Sequence, residues 1–230
     1  MDFRHDLIIY VFTALGILSL ILIYSLDRQR MKRTRGAYFE DCLTLFSKIQ
    51  ITQDDVDFPV LEGTYLGYRV RLQPIIDHMT VRKLPSLWLL TTIYGPLPGT
   101  AVIDFLVRPT NTEFYSSIWS LPNSLNIPHG WPAHALFRTN GEDPSTIDRI
   151  GLHMHLFDDP KMKELVVTSN GVRLVYQAQE AERAHYMVLR HAKFATSKLD
   201  NATAKRLLDE AIALHRSVAE PLKRTGPLLT

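Results

Sequence analysis

Hydrophobic residues follow two different patterns along this chain. Residues 7–26 form an apolar run of twenty residues without a charged side chain, whereas apolar and polar residues are interspersed in the remainder. An α-helix of that length rises about 30 Å, which matches the hydrocarbon core of a bilayer. The run therefore predicts a transmembrane helix, preceded by a short extracytoplasmic N-terminus over residues 1–6.

A cleaved signal peptide is the alternative interpretation of this run. The leader is not basic, because Asp2 and Asp6 outnumber Arg4, and the run exceeds the roughly 7–15 apolar residues of a signal core. Asp27 and Arg28 follow it in place of a small-residue cleavage site. We therefore expect an uncleaved anchor, and a buried core helix is disfavoured because the run is apolar all round.

Basic residues follow the anchor directly. The juxtamembrane flank, residues 27–35, holds Asp27 as its one acid and five basic residues: Arg28, Arg30, Lys32, Arg33 and Arg35. Because basic flanks stay in the cytoplasm, we expect the N-terminus outside and the C-terminal domain in the cytoplasm, at a bacterial inner (plasma) membrane. Anionic lipid would also attract this flank, so the lipid bilayer is the first expected partner.

An amphipathic helix and a linker are predicted over residues 36–57. Apolar residues recur at helical spacing over 36–50, and they are Phe39, Cys42, Leu43, Phe46 and Ile49. We expect this helix to pack against the domain, with the membrane surface as the alternative.

Residues 58–220 are predicted to form one cytoplasmic α+β domain that begins with strands. Alternation around Gly67 predicts a hairpin over residues 61–74, with apolar residues on one face and arginines on the other. Nearly continuous apolar runs predict a central strand at 84–95 and a further strand at 101–109. The fold class is therefore α+β: a single N-terminal transmembrane helix followed by a mainly antiparallel sheet with packing helices.

The second half of the domain mixes strands, loops and helices. The first predicted elements are a short strand at 114–119, an ordered aromatic loop at 121–134 and a helix starting at Asp143-Pro144-Ser145. A strand is expected at 152–157, with a helical continuation as the alternative, and a helix is expected to start at Asp158-Asp159-Pro160. The last predicted elements are a strand after the turn Asn170-Gly171, a strand at 184–194, and an amphipathic helix capped by Asp200 or Asn201 and stopped by Pro221. Residues 221–230 are expected to form a flexible tail.

Charge and cysteine content narrow the functional classes. The net charge is +2, but the leader contributes one net negative charge and the basic flank four net positive charges, which leaves −1 for the rest. A domain so close to neutral lacks the electrostatic footprint of a nucleic-acid-binding protein. Cys42 is the single cysteine, which excludes intrachain disulfides and Cys-based zinc sites and agrees with a reducing compartment.

A pair of histidines is the strongest candidate for a metal-binding site. On a strand, His153 and His155 would project from the same face and could share one ion. The third ligand would have to come from elsewhere in the fold, and the candidates are His129, His134, Asp158 and Asp159. The alternative is two histidines on the polar face of a half-buried strand.

Two binding surfaces are also suggested. His129, Trp131 and His134 lie in the aromatic loop and could line a pocket, although aromatic residues more often hold such a loop in place. Four basic residues could form a patch that binds a small anion or a lipid headgroup, and they are Arg69, Arg71, Arg82 and Lys83. The alternative interpretation is a solvated face of the sheet.

No catalytic residue and no cofactor are predicted. The sequence contains no Gly-x-Ser-x-Gly elbow, Walker loop, Gly-x-Gly-x-x-Gly turn or His-Glu-x-x-His helix. Cys42 lies in an apolar stripe, where its thiol would be inert.

Several short segments resemble a family of bacterial membrane-anchored proteins of unknown function. The segments are Gly63 with Gly67, Leu84-Pro85-Ser86-Leu87-Trp88, Trp131-Pro132-Ala133-His134, Phe157-Asp158-Asp159-Pro160, Lys163-Glu164-Leu165 and Gly171-Val172-Arg173-Leu174. The resemblance covers about residues 58–218, and it implies a single anchored α+β domain without implying an activity or a site.

The sequence favours a single-pass membrane protein with a non-catalytic cytoplasmic interaction or accessory domain. Its expected partners are the bilayer and other membrane or cytoplasmic proteins, and not nucleic acid. The alternatives are a metal-dependent enzyme that uses His153 and His155, and a membrane-tethered sensor of a small molecule or lipid.

Overall fold

The computed structural model of the chain describes residues 3–77, 84–99, 101–183, 186, 194 and 198–220. Its first element is helix α1, Phe3–Gly36, which contains the predicted transmembrane run and continues through the basic flank. The apolar part of α1 is long enough to cross a membrane, and none of its described residues is buried. The prediction of a long apolar N-terminal helix is confirmed.

The described residues form one nine-stranded antiparallel sheet. Its strands are β1 (Ser47–Thr52), β2 (Val60–Tyr65), β3 (Tyr68–Ile76), β4 (Ser86–Tyr94), β5 (Ile103–Val107), β6 (Asn123–Ser124), β7 (Ala135–Thr139), β8 (Met162–Thr168) and β9 (Gly171–Glu180). Their spatial order is β1-β2-β3-β4-β9-β8-β5-β7-β6. The predicted α+β class with a mainly antiparallel sheet is confirmed.

Two glycines make the tight hairpins that the sequence predicts. Gly67 joins β2 to β3 with a φ of +86°, and Gly171 begins β9 with a φ of +144°. A Cβ atom at position 171 would lie 2.0 Å from the carbonyl oxygen of Ile93, so a side chain there would separate β9 from β4. Strand β4 lies near the centre of the sheet, as its continuous apolar sequence predicts.

Two further helices begin at predicted caps. In α2, Pro144–Gly151, the carboxylate of Asp143 accepts a hydrogen bond of 3.0 Å from the amide of Thr146. In α3, Asn201–Ala219, Asp200 accepts one of 2.9 Å from the amide of Thr203. Such caps stabilise a helix by about 1 kcal/mol. The predicted apolar stripe of α3 is buried, and it consists of Ala204, Leu207, Leu208, Ala211, Leu214 and Val218.

The sheet has two chemically different faces, because successive residues of a strand point to opposite sides. On one face, α3 covers an apolar core that includes Leu89 and Leu174. The opposite face carries Arg71, Thr92 and Arg173 on three neighbouring strands. We call this second side the cleft face.

The predicted helix over residues 36–50 is wrong. A short 3-10 helix, Glu40–Leu45, and the edge strand β1 replace it. Strand pairing decides the difference, since residues 47–52 hydrogen-bond to β2 in an antiparallel register. The apolar residues before β1 do pack on the domain, as expected, and Phe39, Cys42 and Phe46 belong to its core.

Three other elements differ from prediction. Residues 152–153 form a turn after α2, and a 3-10 helix, Met154–Asp158, follows where a strand was expected. Leu152 is exposed while His153 is buried. The segment after Asp158-Asp159-Pro160 is strand β8 and not a helix, because β5 and β9 pair with it on both sides. The expected strand at 114–119 is a loop that ends in a 3-10 turn, Ile118–Ser120.

Several expectations fall outside the described residues. They concern Arg82 and Lys83 of the anion patch, nearly all of the strand expected at 184–194, Pro221 as a helix stop, and the tail at 221–230.

Candidate functional site

The two histidines of the metal hypothesis do not lie on a strand. His153 follows α2 and is buried, whereas His155 lies in the 3-10 helix with its Nε2 atom 3.4 Å from a carboxylate oxygen of Glu210 in α3. Their ring centroids are 6.1 Å apart. Burial lowers the pKa of His153, and the neighbouring His155 lowers it further.

The third metal ligand is not found in the described part of the chain. No group of three or more His, Cys, Asp and Glu side chains there is arranged to hold a metal ion. His129 and His134 are exposed in the loop before β7, and Asp159 forms an ion pair with Arg206 at 3.1 Å. The metal site at His153 and His155 stays a prediction.

The aromatic loop packs its tryptophan against the core. The Trp131 ring lies 5.2 Å from that of Phe105 and 5.3 Å from that of Phe137, between centroids. His129 and His134 flank it as exposed residues. Trp131 therefore has a structural role in holding the loop down, and binding by these three residues stays a prediction.

The basic flank is part of α1 and contacts the domain. Arg28 forms an ion pair with Asp55, and Arg35 donates a hydrogen bond of 2.8 Å to the carbonyl oxygen of Val56. The side-chain amide of Gln53 donates one of 3.0 Å to the carbonyl oxygen of Lys32. The exposed residues of the flank include Arg30, Lys32 and Arg33.

A row of mainly charged residues crosses the cleft face, and Arg71 is the one member already named as a binding candidate from the sequence. The strand registers place one residue from each of seven strands side by side, and we call these residues the cross-strand row: Glu62, Arg71, Thr92, Arg173, Val166, Asp104 and Arg138. Directly opposed side chains of neighbouring strands lie about 5 Å apart, so these residues are in contact range of one another.

A loop covers one end of the cross-strand row. Its anchor is Glu113, whose carboxylate forms a buried ion pair of 3.0 Å with Lys163 of β8 and accepts a hydrogen bond of 2.7 Å from the amide of Thr110. Arg138 donates a bond of 3.4 Å to the carbonyl oxygen of Ile118 in the same loop. Burial opposes ionisation of Glu113, but the hydrogen bonds from Thr110 and Lys163 outweigh it and lower the pKa of Glu113.

Two carboxyl groups are fully buried under this loop. The carboxyl groups of Asp104 and Glu164 interact with each other, and Glu164 lies 3.7 Å from Arg173. Burial, reinforced by the nearby Glu164, raises the pKa of Asp104 to about 9. Burial also raises the pKa of Glu164, with Arg173 opposing the shift. The pair therefore holds at least one proton at neutral pH.

The middle of the row, from Arg71 to Val166, lines a cleft of about 430 Å³. Its polar lining includes Arg71, Thr92 and Arg173, and Ser117 contributes from the covering loop. Small-molecule sites in proteins occupy roughly 300–1,000 Å³ and combine an apolar wall with a few polar groups, and this cleft fits that description.

The sequence contains a signal for the two buried acids. Asp104 and Glu164 are acidic residues inside the apolar strand sequences IDFLV and KELVV. A charged residue in a buried strand needs a partner on a neighbouring strand. Which strand supplies that partner depends on the strand order, and the sequence does not reveal it.

Comparison with known proteins adds one solved structure. No family model matches the chain, and no curated protein matches it. The crystal structure of the mycobacterial trehalose monomycolate transport factor A, TtfA, is similar over 78% of this chain and 80% of its own, with 9% sequence identity and a TM-score of 0.36. A likeness at this TM-score carries no argument, so the candidate site depends on its own geometry.

Proposed function

We propose that this chain is a single-pass membrane protein whose domain is a non-catalytic interaction or accessory module in the cytoplasm. The observation that carries the proposal is the exposed apolar surface of α1. Leu20, Ile23 and Leu26 are each at least 64% exposed, in a stretch long and apolar enough to span a bilayer. A contiguous apolar surface of this size requires a membrane or a partner to cover it.

Contacts between α1 and the domain support a position at the membrane surface. The ion pair from Arg28 to Asp55 and the hydrogen bond from Arg35 to Val56 connect the last turns of α1 to the segment before β2. The basic flank would then lie at the headgroups, with the sheet directly beneath it.

The sequence supports a non-catalytic role. It contains none of the reaction motifs considered above, and Cys42 is buried in the core with a pKa that burial raises to about 11. A thiol in that state is a poor nucleophile.

Extraction of the full chain from membranes tests the anchor. We expect the protein to stay in the pellet through high salt and alkaline carbonate and to need detergent for release. The double substitution Leu18→Arg and Ile21→Arg should shift it to the supernatant, because each arginine at a helix centre raises the insertion free energy by about 2.5–3.5 kcal/mol.

The matched control changes two exposed leucines of the domain. Leu66 and Leu152 are 65% and 73% exposed, so Leu66→Arg with Leu152→Arg adds the same charge outside α1. This control should stay in the pellet. Release of the unchanged protein by carbonate would contradict the anchor, and purification in mild detergent without any stoichiometric partner would contradict the accessory role.

A further inference from the structure

The cleft contains two arginines that have hydrogen-bond donors without a partner among the described residues. Within the described part of the chain, neither Arg71 nor Arg173 makes a hydrogen bond, and the Nε atom of each is buried without a partner. Each has one loose ion pair, at 3.6 Å from Glu62 and 3.7 Å from Glu164 respectively. We propose that this cleft binds an organic anion, whose carboxylate or phosphate group lies between the two guanidinium groups.

The strand register brings these two arginines to one place. Arg71 of β3 and Arg173 of β9 both pair with Thr92 of β4, so all three side chains lie on the same face in adjacent strands. Neighbouring strands are about 4.8 Å apart, which separates the two arginine backbones by about 10 Å and leaves the guanidinium groups room to converge. Planar guanidinium groups match carboxylate and phosphate oxygens with paired hydrogen bonds.

The charge balance of the row favours an anion. Arg71, Arg173 and Arg138 contribute three positive charges. Glu62 contributes one negative charge, and the pair Asp104 and Glu164 contributes at most one because it retains a proton. Glu62 also accepts a hydrogen bond of 3.0 Å from Arg69, which leaves it less available to Arg71. An anionic ligand would neutralise the remaining positive charge.

The apolar residues that line the cleft indicate what the uncharged part of the ligand is. Leu90, Val102 and Val166 give the cleft an apolar side, and its volume of about 430 Å³ admits a small molecule or one headgroup. A bare inorganic ion would leave this side empty. The ligand class that fits is therefore an anion with a short apolar body, supplied by a soluble metabolite or by a membrane lipid.

Calorimetric titration of the full chain in phosphatidylcholine nanodiscs tests the site. We expect hexyl phosphate or hexanoate to bind saturably, whereas hexan-1-ol and inorganic phosphate bind much more weakly. Arg71→Gln should weaken binding by about tenfold or more, because it removes charge-assisted hydrogen bonds. Arg71 is chosen for the substitution because removing Arg173 would leave the buried Glu164 without its ion-pair partner.

Arg69→Gln is the matched control. Arg69 lies on the same strand and face, but it is 68% exposed and its guanidinium bonds to Glu62 and lies over the Tyr94 ring. Its loss removes the same charge and should change the affinity by less than about twofold. Absence of binding by either hexyl compound, or equal affinities for Arg71→Gln and the unchanged protein, would overturn the proposal.

Lipid composition distinguishes the two sources of ligand. If a membrane lipid supplies the anion, adding phosphatidylglycerol to the nanodiscs should weaken the binding of hexyl phosphate in high salt, where surface repulsion is screened. Unchanged affinity assigns the site to soluble organic anions. The proposal goes beyond the anchored accessory function, and its failure would leave the extraction experiment unaffected.

Discussion

Asp104 shows how a single residue responds to its position in the sheet. The side chain is fully buried on the cleft face, where its carboxyl group interacts with that of Glu164. Burying a charge without a partner is far more costly than burying a neutral group, so the carboxyl keeps its proton in the folded state.

The pH dependence of stability tests this state. In the folded chain Asp104 loses its proton near pH 9, whereas an exposed aspartate in the unfolded chain loses it near pH 4. Between these values the folded state binds the extra proton, so the contribution of Asp104 to the free energy of unfolding decreases as the pH rises. We expect Asp104→Asn to gain stability relative to the unchanged protein by at least about 1 kcal/mol between pH 5 and pH 8.

Chemical denaturation at several pH values measures this difference. Asp148→Asn is the control, because Asp148 is exposed and its substitution should leave the pH profile parallel to that of the unchanged protein. A stability difference for Asp104→Asn that stays flat from pH 5 to pH 8 would contradict a buried neutral carboxyl.

At the scale of elements, the loop that precedes β6 is held by an internal ion pair. Glu113 and Lys163 are 2% and 9% exposed at their side chains, and Glu113 also accepts hydrogen bonds from Thr110 and Thr112. Lys163 additionally donates to the carbonyl oxygen of Arg108. The loop therefore closes the covered end of the cross-strand row through a few buried polar contacts.

Removing one partner should open this loop. Glu113→Gln breaks the buried ion pair with Lys163, and breaking a buried pair typically lowers the free energy of unfolding by about 3 kcal/mol. Hydrogen exchange should rise selectively over residues 110–121. Glu40→Gln is the control, since Glu40 pairs with Lys198 at 2.9 Å on the surface and should contribute less than about 1 kcal/mol. Equal effects of the two substitutions would contradict the assigned role of Glu113.

The elements that sequence patterns predicted well are those with a strong local signal. The hairpin at Gly67 and the caps at Asp143 and Asp200 depend on backbone conformations and hydrogen bonds within a few residues. The errors occurred where pairing with distant strands decided the conformation, as for β1 and β8. Apolar spacing in short segments fits a helix and a strand almost equally well, so tertiary contacts choose between them.

At the scale of the whole molecule, α1 and the domain divide the surface into two environments. Helix α1 exposes an apolar surface, whereas the described domain buries most of its large apolar side chains around the sheet. Between them lie Arg30, Lys32 and Arg33, which are exposed. In the proposed single-pass arrangement, these charges should determine the orientation of the chain in the membrane.

A reporter fused after the C-terminus tests the orientation. We expect a fluorescent protein that matures only in the cytoplasm to be active, and a phosphatase that folds only outside to be inactive. Substituting Arg30, Lys32 and Arg33 by Gln should reduce the cytoplasmic fraction, because the basic flank loses most of its charge.

The control removes the same number of charges from α3. Substituting Lys205, Arg206 and Arg216 by Gln should leave the reporter pattern unchanged, since these residues lie far along the chain from the anchor. Phosphatase activity in the unchanged fusion would show the opposite orientation and contradict the expected cytoplasmic position of the domain.

The sequence by itself determined the long apolar N-terminal helix, the α+β class, the principal turns and the amphipathic C-terminal helix. Each of these depends on residues that are close along the chain, so composition and spacing are sufficient to define it. Only the tertiary structure decided the strand order, and with it the meeting of Arg71 with Arg173 and of Asp104 with Glu164. These residues are brought together by long-range pairing in an antiparallel sheet, and long-range pairing leaves no local signature in a single sequence.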